Sequence, residues 1–105
     1  MNINELENQN IDEILKTKEF IILDFFTKWC PSCRMVAMTL EEFEEEHNDV
    51  LIIEIDANEY KSLADIYKVR SAPTLIFFYK GELKTTHSGF IDVDELENIL
   101  LEISK

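Results

Sequence analysis

The chain has only two cysteines, three positions apart in the stretch Trp-Cys-Pro-Ser-Cys-Arg-Met at residues 29–35. A Cys-x-x-Cys pair serves three chemistries: half of a tetrahedral metal site, a structural disulfide, or a redox centre. Zinc needs four ligands, and a Cys-x-x-Cys half-site is usually completed by a second pair. There is no third cysteine, and His47 and His87 stand at no recognisable ligand spacing, so no metal is expected. A structural bridge over so short a loop adds little stability, because that loop has little entropy to lose. Redox exchange remains. A thiolate at Cys30 attacks a partner disulfide to give a mixed disulfide, and Cys33 resolves it.

That chemistry needs Cys30 where a thiolate is stabilised, and the flanking elements provide the place. FIILDFF (residues 20–26) is dense in branched and aromatic residues and reads as a buried strand. Pro31 then opens a helix, as proline favours the first turn. Cys30 therefore falls at a helix N-terminus, where unpaired N–H groups and the helix dipole favour negative charge. Along the helix Val36, Leu40, Phe43 and His47 trace one face. The acidic run EEFEEEHND that ends it reads as a solvated surface.

The remaining elements follow from the same periodicities. Residues 1–5 read as a short first strand, and Ile11, Ile14 and Leu15 as a helix capped by Asn10 or Asp12. VLIIEID (50–56) is a buried strand, and Leu63, Ile66, Tyr67 and Val69 mark a helix. TLIFFY (74–79) and the more polar residues 82–88 are strands joined by a turn at Lys80-Gly81. A last helix runs from about Asp92, its cap, to Ile103. Alternating strands and helices predict an α/β fold, a central mixed sheet of about five strands with four helices on its two faces. The 105 residues fit a single domain, 1–105.

The formal net charge of −12 repels phosphate backbones and anionic membranes, so neither nucleic acid nor membrane is an expected partner. The N-terminus lacks the basic and apolar regions of a signal peptide. With so few cysteines, a reducing cytoplasm is the expected compartment.

Strand, Trp-Cys-x-x-Cys, helix, a later Ala-Pro before a strand, and a terminal helix together resemble the thioredoxin family. The stretches DFFTKWC and RSAPTLIFF carry that resemblance, which spans essentially the whole chain. It implies a thiol–disulfide oxidoreductase of thioredoxin fold that reduces disulfides in protein substrates and needs no bound cofactor. It further implies Cys30 as nucleophile, Cys33 as resolving thiol and Asp24 as the buried carboxylate that exchanges a proton with Cys33. Trp29 matches the tryptophan beside the nucleophile, and Pro73 the cis-proline facing the disulfide. Ala72 matches the residue whose backbone pairs with substrate, and Gly89 the glycine flanking the substrate groove. A flavin-dependent thioredoxin reductase is the implied electron donor; a monomer is the expected state because the sequence shows no coiled coil or obvious sticky edge.

The residues have readings of their own. Asp24 interrupts an apolar strand, where burial raises a carboxyl's pKa and suits it to proton exchange with a thiol; local hydrogen bonds are the alternative. Trp29 equally fits partly buried packing, Pro73 an ordinary trans turn, and Gly89 a strand terminator. Lys28 and Arg34 can favour the Cys30 thiolate or simply be solvated.

Departures from the family pattern are informative. Pro31-Ser32 replaces the usual Gly-Pro and is expected to tune the redox potential: Ser32 adds a hydroxyl donor, Pro31 removes a backbone one. Met38 replaces a helix-kinking proline, so a straighter helix is expected, and Phe26 replaces a second tryptophan. Glu54 stands where a lysine near the buried aspartate is common, and turned inward it would titrate together with Asp24. Two rival functions stay open: an oxidase or isomerase of the same fold, and a binding module with vestigial redox chemistry.

Overall fold

Side chains alternate between the two faces of a strand, so a strand that is apolar at successive positions must be covered on both sides. Phe20–Phe26 (β1) is such a strand, with residues 21–25 all buried. In the computed structural model, which describes residues 1–5 and 10–105, β1 lies inside a four-stranded sheet. Val50–Asp56 (β2) pairs parallel with it on one side. Thr74–Tyr79 (β3) pairs antiparallel on the other, and Glu82–Ser88 (β4) forms the edge beyond, giving the order β2-β1-β3-β4.

The alternation divides the core in two. Ile21, Leu23 and Phe25 join Ile53, Ile55, Ile76 and Phe78 on the face covered by the single turn Ile11–Ile14 (α1) and by Lys61–Ile66 (α3). Ile22 joins Ile52, Leu75 and Phe77 on the opposite face, beneath Pro31–Glu46 (α2) and Val93–Ile103 (α4). Val36, Leu40 and Phe43 supply the α2 contribution, at the helical spacing read from the sequence. Asp24 shares the parity of Ile22 along β1, and Glu54 that of Ile52 along β2. Both carboxylates therefore belong to the α2 face.

The local signals explain the boundaries. Asn10 caps α1 by accepting from the Glu13 N–H at 2.9 Å, and Asp92 caps α4 by accepting from Glu95 N–H at 2.8 Å. Lys80 and Gly81 both have positive φ, 52° and 82°, as a two-residue type I′ hairpin requires. His47, at the C-terminus of α2, stacks on Phe43 and places Nε2 2.9 Å from Glu97 Oε2, tying α2 to α4. None of the described helices is long and apolar enough to cross a membrane.

One expectation is corrected. Residues 1–5 form no strand, so the sheet has four strands among the described residues rather than about five. Ile3–Glu5 is a 3-10 turn, and the pairing shrinks to an isolated parallel bridge between Asn2 and Glu54. Asn2 Oδ1 accepts from the Asn4 N–H at 2.9 Å, a local bond that turns the chain away from the sheet edge. The helix at 61–66 also ends earlier than Val69, because Lys68 takes a left-handed conformation (φ 57°) just after it.

Candidate active site

In a sheet with parallel strands, the carboxyl ends of those strands present the chemistry. β1 ends at Phe26, and residues 27–30 lead directly into α2. Cys30 is the N-cap of α2 and Pro31 opens its first turn. The N-terminal N–H groups have no intrahelical partner, and one of them is used here: Cys33 N donates to Cys30 Sγ at 3.1 Å. The Ser32 hydroxyl oxygen lies 3.5 Å from the same sulfur. Charge appearing on Cys30 Sγ would thus meet two donors and the positive end of a sixteen-residue helix.

Cys30 and Cys33 are joined as a disulfide with Cα atoms 5.2 Å apart. The sulfurs are not equivalent. Cys30 is partly exposed, whereas Cys33 is only 5 % exposed. Trp29, beside Cys30, is 89 % exposed. The indole is presented to solvent next to the reachable sulfur and is not core packing.

The loop before β3 faces the same sulfur. The Ala72–Pro73 bond is cis, and the Ala72 carbonyl oxygen lies 3.8 Å from Cys30 Sγ although the residues are 42 apart in sequence. Gly89 N donates to Pro73 O at 2.9 Å, so the turn after β4 is tied to this loop. Gly89 has φ +90°, and a Cβ built there would meet nothing within 4 Å. A groove of about 620 Å³ runs along this side of Cys30, lined by Trp29, Lys61, Asp65, Arg70 and Ala72 among others. Lys61 and Arg70 were not anticipated from the sequence. Arg70 could have been, since it directly precedes Ser71-Ala72-Pro73.

Asp24 occupies the other side of the disulfide. It is 2 % exposed, and its Oδ1 has no hydrogen-bond partner. The parallel register sets it opposite Glu54 on β2, and the antiparallel register opposite Leu75 on β3. A cleft of about 290 Å³ is lined by Asp24, Cys33 and Glu54, with Phe26, Lys28 and Arg34 also on its walls. Burial, and next the Glu54 carboxylate, push the Asp24 carboxyl up from its ordinary 3.8 to about 7, opposed by the Met1 ammonium group. A carboxyl half-protonated near neutrality can take or give a proton.

The two histidines lie apart from this arrangement in their bonding: His47 is held by Glu97 and His87 by the Phe90 carbonyl. Met38 is exposed, and α2 runs without interruption across it.

Comparison with known proteins gives consistent results. The family model described as Thioredoxin matches residues 2–102. A thioredoxin of Buchnera aphidicola subsp. Acyrthosiphon pisum is 36 % identical over 100 residues, covering 93 % of each chain. A protein disulfide-isomerase of Schizosaccharomyces pombe is 38 % identical over 104 residues, which span 95 % of this chain but 28 % of that protein. Among solved structures, a mutant thioredoxin from Halobacterium salinarum superimposes with a TM-score of 0.82 at 29 % identity, covering 90 % of this chain and 83 % of the other.

Proposed function

The chain belongs to the thioredoxin family and is a thiol–disulfide oxidoreductase, and on that premise we propose that it reduces disulfides in protein substrates, with Cys30 as nucleophile and Cys33 as resolving thiol. The unequal exposure of the two sulfurs carries this reading. Only Cys30 can be reached by a macromolecular disulfide, and only Cys33 is sheltered beside a buried carboxyl.

In the dithiol form the Cys33 N–H and the Ser32 hydroxyl stabilise the Cys30 thiolate. The thiolate attacks one sulfur of the substrate disulfide, forming a mixed disulfide and releasing the first substrate thiol. Asp24, in its carboxylate form, accepts the Cys33 proton across the cleft. The Cys33 thiolate then attacks Cys30 Sγ, closing the bond seen in this structure and releasing the second substrate thiol. The enzyme gives the substrate two electrons, and the two released sulfurs take their protons from solvent, because the Cys33 proton stays on Asp24.

Trp29, Ala72, Pro73 and Gly89 are proposed to bind substrate. Trp29 supplies exposed apolar area, the Ala72 backbone lies beside Cys30, and the open space at Gly89 admits a second chain. Pro31 and Ser32 set the potential. A flavin-dependent thioredoxin reductase returns the electrons to a monomeric, single-domain protein in the reducing cytoplasm; family membership supports this donor and setting.

One observation favours the oxidase or isomerase alternative: a Ser32 hydroxyl close to Cys30 Sγ stabilises the thiolate, and with it the reduced form. The equilibrium reduction potential decides between the two. A value near that of ordinary thioredoxins supports a reductant, and a markedly more oxidising value overturns that direction. The assignment of the sulfurs is tested separately. A Cys33→Ser protein should accumulate a mixed disulfide with a protein substrate through Cys30, and Cys30→Ser should accumulate none; the reverse pattern would exchange the two roles.

A further inference from the structure

Asp24 and Glu54 are neighbours by construction. The β1–β2 pairing is parallel and in continuous register from Phe20↔Val50 to Phe26↔Asp56, which sets Asp24 beside Glu54. Both lie on the α2 face, and both line the cleft that holds Cys33. They differ in depth: Asp24 is buried with Oδ1 unpartnered, while Glu54 is half-buried and reaches solvent. Water can occupy a polar cleft of this size, and a carboxylate at its open side is what water-borne protons would meet.

We propose that Glu54 is a positioning residue for the redox reaction: by standing in register with Asp24 across the Cys33 cleft, it holds the exchangeable proton on Asp24 and so sets the pH at which Asp24 changes from acid to base. The proposal rests on the role given to Asp24 above. Two carboxylates sharing poorly solvated space cannot both ionise freely, so the more buried member keeps its proton to higher pH. Asp24 is the more buried.

The other groups around Asp24 cannot substitute for this effect. From β3 it meets the apolar Leu75. From α2 come Cys33, neutral as a disulfide, and the Arg34 guanidinium. Lys28 comes from the loop after β1, and the Met1 ammonium lies near the β2 edge, donating to Ile52 O at 2.9 Å. Of these three cations the Met1 ammonium favours the carboxylate of Asp24. Among the described residues Glu54 is the one carboxylate on the cleft walls besides Asp24, and so the group there that favours the protonated form. The chemical consequence is a division of labour. In the oxidised protein Asp24 waits protonated, ready to give its proton to Cys33 when a donor reopens the disulfide. After that transfer it is the base for the next substrate cycle.

The test follows the Asp24 carboxyl carbon by NMR in the oxidised protein, for wild type, Glu54→Gln, Glu54→Lys and Glu54→Asp. Glu44→Gln, an exposed change on α2, controls for net charge. In parallel, the rate at which Cys33 resolves a mixed disulfide is measured against pH. The Asp24 midpoint should fall in Glu54→Gln, fall further in Glu54→Lys, and stay closer to wild type in Glu54→Asp and Glu44→Gln. The acidic limb of the rate profile should move in the same order. A purely structural role for Glu54 would change stability without producing that order. Superimposable Asp24 curves for wild type and Glu54→Gln overturn the proposal, while a wild-type rate profile that still follows Asp24 leaves the role of Asp24 standing. A wild-type rate profile indifferent to the Asp24 midpoint overturns both.

Discussion

Replacing Asp24 with Asn should stabilise the oxidised protein at alkaline pH, and the structure gives a magnitude. The folded protein holds the Asp24 proton until about pH 7, whereas the unfolded chain releases it near 3.8. Between these values the native state binds more protons than the unfolded state, so stability falls as pH rises. The contribution is fully present below pH 3.8 and lost once the pH passes 7. Three pH units at about 1.4 kcal/mol each amount to a loss of about 4 kcal/mol, a large part of a small domain's total stability. Asn cannot ionise and carries no such loss. Its amide sits in the same buried position and is as poorly partnered as the Asp24 Oδ1, so that cost roughly cancels in the comparison. Urea denaturation at a series of pH values from 4 to 9 reads the difference directly. The Asn variant should match or fall slightly below wild type at pH 4 and exceed it by about 3–4 kcal/mol at pH 9. Subtracting the two curves removes every titrating group that does not interact with Asp24. If the difference stays constant across that range within about 0.5 kcal/mol, Asp24 does not carry a raised pKa, and the argument from its burial is wrong.

Other consequences are more local. Ser32→Ala removes the hydroxyl 3.5 Å from Cys30 Sγ, so the Cys30 thiol should become less acidic in the reduced protein and the potential more reducing. A thiolate absorbance titration and equilibration with a reference dithiol measure the two effects. Gly89→Ala places a Cβ in open space but on a backbone with φ +90°, so it should cost about 1 kcal/mol through conformation alone. Urea denaturation checks that value, and a loss above about 3 kcal/mol would mean that the Cβ meets an obstacle.

Much of the molecule was legible because its signals are local. The run of apolar residues from Ile21 to Phe25 marks a strand buried on both faces, whatever lies on either side. Val36, Leu40 and Phe43 mark the inner face of α2 for a similar reason: spacing decides which side chains leave water together. The redox centre was equally local, since both sulfurs, the opening proline and the capping position lie within a few residues. Asp24 stood out as a lone charge in an apolar run. Residues 1–5 misled because Ile3 between polar neighbours fits an alternating pattern, and nothing in it shows that Asn2 will bond to Asn4.

The sequence by itself therefore determined the elements from residue 11 onward, the Cys-x-x-Cys chemistry and the lone charge in a buried strand, since each follows from hydrophobic period, helix-terminus electrostatics and local spacing. Only the tertiary structure decided what meets across distance: Ala72 against Cys30 from 42 residues away, and Glu54 beside Asp24 through the register of a parallel pair. Parallel strands are joined by a crossover helix and not by a turn. Their alignment is settled by how α2 packs on the sheet, which is a property of the whole core and of no short stretch within it.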